Sequence, residues 1–308
     1  MSIHHTDVEE HDATNAYQSL SETTDHDDPR WAFGTGIVEE AGAEITSPAP
    51  VGVDAADLAA YCLMLGDDAL IYSHRLSEWV SNAPELEEEV ALANTALDLL
   101  GQARVLLARA GHVEGGNRDE DALAYLRPEA EFRNVGLAEL SDDLDFARCI
   151  ARLLIFSTWR LALLHRLLGS ADPVVAAVAG KGVKEITYHR DYAARWTLRL
   201  GDGTAESHRR MQAAIDAVWP YLGELFRTSD EERRLIAAGV AVDPADTREE
   251  VDAVLDQVLD KATLTRPDRP FIGTIGGRSG RQGVHTEHLG HALAEMQSLA
   301  RRHPGATW

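Results

Sequence analysis

The sequence predicts an all-α protein, a four-helix bundle followed by additional C-terminal helices. Three observations lead there. Four long stretches place apolar residues at i, i+3 and i+4, the period of a helix with one buried stripe. Tight breaks at Asn82-Ala-Pro84 and Ala171-Asp-Pro173 join these stretches into two hairpins, and two antiparallel hairpins of long helices close into a bundle. Period-2 alternation of useful length appears nowhere, so there is no strand signal.

Residues 1–53 are rich in Asp, Glu, Thr, His and Ser and run into Ser47-Pro-Ala-Pro50. Such a composition has too little apolar surface to bury, and it reads as a disordered acidic tail. Its histidines His4, His5, His11 and His26 offer only loose metal binding. A helical domain is expected over 54–308, with the bundle over about 55–200 and a helical extension over about 201–308.

The first helix, about Ala55 to Val80, carries Leu58, Cys62, Leu65, Ala69, Tyr72, Leu76 and Trp79 on one stripe, with Ala69 and Tyr72 at its inner centre. The second, Leu86 to about Gly111, is apolar on nearly every side. Leu97, Leu100 and Leu107 lie opposite Leu92, Leu99 and Leu106, with Asn94, Asp98 and Gln102 between them. Complete burial is expected, which would put the Asp98 carboxylate in the core and require a partner for it. The third helix, about Leu144 to Leu168, presents Phe146, Ile150, Leu153, Ser157, Leu161 and Leu164, with Arg160 beside Ser157. The fourth, about Pro173 to Leu200, carries Val174, Val178, Glu185, His189, Tyr192 and Trp196, and its early proline suits the first helical turn. After Gly201-Asp-Gly203, helices are expected over about Ser207–Phe226, Glu231–Ala238 and Arg248–Leu259. A Gly-rich loop, Gly273 to Gly283, then leads into an amphipathic segment from His285 through Gln297.

The chain has 308 residues and a net charge of -22, which excludes nucleic acid and anionic membranes as partners, because phosphate recognition rests on clustered Lys and Arg. Soluble protein partners are expected. No apolar run reaches about 18 residues, and the N-terminus lacks a signal-peptide layout. Cys62 and Cys149 fall inside apolar helical patterns as small hydrophobes, and together these features predict a cytoplasmic protein.

Bundles with central carboxylates suggest a ferritin-like di-metal protein, whose ligands are one Glu from each of two helices plus Glu-x-x-His from each of the other two. Here the set is broken. Asp98 has Gly101 at i+3, and Glu185 has Tyr188 there, with His189 one place later. The first helix offers Ala69 or Tyr72, and the third Ser157 or Arg160. Two carboxylates and one imidazole are too few to enclose two irons, so no metal, cofactor or catalytic residue is assigned. Arg160 is expected to bond Asp98 or Glu185 instead. The Gly-rich loop lacks the Lys-Ser/Thr ending of a phosphate loop. Arg278, Arg281, His285, Glu287, His288 and Trp308 are expected to form or support an interface.

A string of ordered motifs spans about residues 55–308: Tyr61-x-x-x-Leu65-Gly-Asp-Asp-Ala-Leu, Ser77-Glu-Trp, Ala83-Pro-Glu-Leu-Glu, Ala91-Leu-Ala-Asn-x-Ala-Leu-Asp-Leu-Leu-Gly-Gln-Ala-Arg104, Lys184-Glu-x-x-Tyr-His189 and His285-Thr-Glu-His-Leu-Gly-x-x-Leu-Ala-Glu-Met-Gln297. Together they closely resemble the PaaC family, ferritin-like subunits of the phenylacetyl-CoA ring epoxidase of aerobic phenylacetate catabolism. The resemblance implies a non-catalytic support subunit in a hetero-oligomer that uses O2 and NADPH to form a ring 1,2-epoxide. It implies a paralogous PaaA-type subunit holding the di-iron centre and the acyl-CoA, and a small PaaB-type subunit. A PaaE-type reductase with flavin and iron–sulfur centres is implied as well. A self-sufficient di-metal hydroxylase and a helical module binding CoA thioesters are the alternatives.

Overall fold

The ends of the bundle helices are set by local chemistry. In the computed structural model, which describes residues 44–116, 118–304 and 306, α1 (Ala55–Ser77) starts where the Asp54 carboxylate accepts the backbone N–H groups of Ala56 and Asp57. Helix α2 (Leu86–Glu114) stops at Gly115, whose φ of 70° is a left-handed conformation that glycine adopts without strain. Two short helices follow, α3 (Glu120–Tyr125) and α4 (Gly136–Glu139). Helix α5 is Phe146–Leu167, and α6 (Pro173–Gly201) is capped by Asp172, which accepts from Val174 and Val175. Helix α1 packs along α2, α5 along α6, and α2 against α6, which closes the bundle.

Beyond the bundle lie α7 (Ala205–Val218), α8 (Asp230–Ala237), α9 (Arg248–Lys261) and α10 (Glu287–Arg302). The single helix expected over Ser207–Phe226 is divided, because Pro220 has no N–H to continue the ladder and Trp219–Phe226 tightens into a 3-10 helix. Among the described residues there is no strand, only one isolated bridge between Ile275 and Arg278.

The sequence reading is corrected at three places. The last ten residues of the expected tail lie on the bundle: Ile45, Ala49 and Val53 pack against the core. Their backbone is needed there, because Arg109 is fully buried and donates to the carbonyls of Ile45 and Ser47 as well as to Asp172. The tail histidines His4, His5, His11 and His26 lie outside the described residues. Second, α2 is not buried all round. Leu92, Leu99, Leu106 and Leu107 face the core, but Leu86, Val90, Leu97 and Leu100 are exposed, since α1 and α6 cover the helix from one side only. By length and composition alone α2 qualifies as a membrane-crossing helix, yet half of its apolar window is buried within the bundle.

Third, α1 does carry central carboxylates. Asp67 and Asp68, adjacent to the expected Ala69, are fully buried and satisfied by arginines that arrive from later in the chain. Both cysteines are free and buried, and burial pushes both thiols up.

Candidate functional site

The residues expected to mark a metal centre converge between α2, α5 and α6, though not in the expected pairs. The Nε2 of His189 lies 3.0 Å from an Asp98 oxygen, and the Gln102 amide donates to Glu185 at 2.9 Å. Arg160, on α5, donates to the Gln102 oxygen at 3.0 and 2.9 Å and more weakly to the Leu65 carbonyl. Arg160 therefore does not touch Asp98 or Glu185, as the sequence led one to expect; Gln102 stands between as a relay. Gly182 makes room for it, since a Cβ there would meet Leu164 at 2.8 Å and the Gln102 amide at 3.3 Å.

Arg160 is thus a fully buried cation whose hydrogen-bond acceptors are all neutral. Burial pulls its pKa down to about 10, opposed by the charges of Asp68 and Glu185 and reinforced by Arg281. Burial pushes the Glu185 carboxyl up, and the nearby Asp98 adds to this, against Gln102, Lys181 and His189. Asp98 is not in the core: its side chain is 40% exposed while that of His189 is 5% exposed. Tyr188 points outward, and Gly101 is half-buried.

A di-metal site needs carboxylates from all four helices, and here only α2 and α6 supply donors. At this level α1 presents the Leu65 carbonyl and α5 a guanidinium, which would repel a dication. The donor set does not fit a di-iron centre. The acidic group close enough to share an ion is Glu85, Glu87 and Glu88, at the solvent-facing start of α2, where carboxylates are favoured by the helix dipole without any metal.

The C-terminal segment is also placed differently from expectation. Arg281 is buried, gripping Asp68 through two nitrogens at 3.0 and 2.9 Å and donating to the Met64 and Arg133 carbonyls. His285 is enclosed, with Nδ1 2.8 Å from Glu139 and Nε2 3.0 Å from the Phe132 carbonyl. With acceptors on both nitrogens, the ring is satisfied only as imidazolium. Burial works against that charge, but the hydrogen bond and charge of Glu139 prevail and raise its pKa. Arg281 and His285 are therefore interior fasteners and not interface residues, because buried charges must pair within the chain. Arg278 and Glu287 are exposed, His288 is half-buried with its carbonyl bonded to Arg75, and Trp308 lies outside the described residues.

Asp67, Asp68, Arg127 and Glu139 escaped the sequence reading. The signal for the first two was present, an Asp-Asp pair between Leu65 and Ala69 in an apolar helix, which burial obliges to find cations.

Comparison with known proteins covers the same stretch. The family model described as phenylacetic acid catabolic protein, labelled PaaA_PaaC, matches residues 48–308. The PaaC-type subunit of the 1,2-phenylacetyl-CoA epoxidase of Escherichia coli (strain K12) is 44% identical over 251 residues, covering 82% of this chain and 99% of that protein. A ferritin-like helical bundle, matched along its whole length and carrying these motifs in order, belongs to the phenylacetic acid catabolic protein family.

Proposed function

We propose that this chain is the support subunit of a phenylacetyl-CoA 1,2-epoxidase in aerobic phenylacetate catabolism, active in the cytoplasm as one part of a hetero-oligomer. The observation that carries the reading is an intact bundle whose central donor set is broken by Gly101, Gln102 and Arg160, in a chain similar over nearly the full length of a PaaC-type epoxidase subunit. In this reading the di-iron chemistry and the acyl-CoA belong to a PaaA-type partner, and electrons come from NADPH through a PaaE-type flavin and iron–sulfur reductase, with a PaaB-type small subunit in the assembly. This chain contributes no catalytic, cofactor or metal ligand; its part is to hold a rigid face against the catalytic subunit. Rigidity comes from four buried ion pairs, Asp67–Arg127, Asp68–Arg281, Asp142–Arg152 and Asp172–Arg109, which tie the bundle to the segments around it.

The test is co-purification with the PaaA-type subunit, followed by separation and iron analysis of each chain after aerobic iron loading. Iron is expected in the partner alone. Close to two irons bound to this chain would sink the reading and favour a self-sufficient di-metal hydroxylase.

A further inference from the structure

The outward side of α2 has the make-up of a helix-packing seam. Leu86, Val90, Leu97 and Leu100 recur at i, i+4, i+11 and i+14, between 42% and 71% exposed, so one apolar stripe runs for about 21 Å along the helix. Isolated exposed leucines are ordinary on soluble proteins, whereas a continuous stripe in helical register is what a helix presents to another helix. The two bonds between α2 and α6, Asp98 to His189 and Gln102 to Glu185, step in opposite directions along the chain and fix the antiparallel register. That register sets Tyr188, 58% exposed, level with Leu97 and Leu100 across the groove. An exposed aromatic beside aliphatic anchors is the usual composition of an interface centre.

In the middle of this apolar surface sits one polar group. The Asp98 carboxylate is 40% exposed and held in place by His189, whose Nδ1 is buried without a hydrogen-bond partner. A carboxylate fixed inside an apolar patch calls for a cation from whatever covers it. The rims carry opposite signs: Glu85, Glu87 and Glu88 at the start of α2, and Lys181 and Lys184 on α6.

We infer that this α2–α6 face is where the chain docks a different, paralogous helical subunit, one that lays an apolar helix along Leu86–Leu100 and directs a single Arg or Lys at Asp98. The inference deepens the reading above by naming the surface and the chemistry of its partner. A second copy of this chain is a poor occupant, because it would bring another net charge of -22 onto the first.

The experiment measures binding of the full-length chain to the PaaA-type catalytic subunit by isothermal titration calorimetry. Leu97→Asp with Leu100→Asp alters only exposed positions and should keep the parental melting temperature while weakening binding by at least about 100-fold. Asp98→Asn retains the bond to His189 and should cost about tenfold through the partner's cation. Ile272→Asp with Ile275→Asp, on another exposed apolar segment, should bind as the parent does. Parental affinity in the Leu97/Leu100 variant overturns the docking face and leaves the support-subunit reading standing. Failure of the parental chain to bind overturns both. A parental homodimer that the Leu97/Leu100 variant dissociates overturns the choice of a different chain as occupant.

Discussion

Replacing Arg281 by methionine removes the partner of the most enclosed carboxylate in α1. Asp68 is fully buried and accepts two bonds from Arg281 and one, at 2.8 Å, from the Val135 N–H. Without the guanidinium, one backbone donor remains for a whole charge. Breaking a buried pair from one side costs about 3 to 5 kcal/mol, and at a few degrees per kcal/mol for a domain of this size the melting temperature should drop by roughly 6 to 20 °C. Differential scanning fluorimetry at neutral pH reads this directly. Adding Asp68→Asn to the same chain should restore much of the loss, because the uncompensated charge is then gone. Arg160→Met provides the contrast. That guanidinium touches only neutral acceptors and is itself the poorly compensated charge, so its removal should cost less than half as much. An Arg281→Met protein melting within about 2 °C of the parent, or below which Arg160→Met falls, would refute the pairing argument.

Two further outcomes follow from the same segment. The pKa of His285 is raised above the ordinary histidine value by Glu139, so the bound proton stabilises the fold below that value and the contribution is lost as pH rises through the raised one. Thermal stability should decline across that window, and His285→Gln should flatten the decline; an unchanged slope would mean the ring is not protonated in the fold. A Cβ at Gly280 would lie 2.1 Å from the Asn134 carbonyl oxygen, a backbone atom that cannot step aside. Gly280→Ala should therefore cost about 3 kcal/mol by displacing the Arg281 segment, as urea denaturation would show, and parental stability would show that the segment is not seated this closely.

The four bundle helices were legible from the sequence to within a few residues at their ends, because a helix that buries one face must repeat apolar residues at its own period, and Asp54, Asp172 and Gly115 are local signals for its ends. The broken ligand set was legible for the same reason: a glycine at position 101 brings no donor in any fold. Tertiary structure decided what each polar group meets. Periodicity states that α2 is apolar on both sides, but not how many neighbours it has, so the uncovered stripe and the exposure of Asp98 came only with the packing. The partners of Asp67 and Asp68 arrive from 60 and 213 residues away, and no local pattern identifies which arginine will be brought there. Helices are written in interactions a few residues apart, whereas the pairing of buried charges depends on the course of the whole chain.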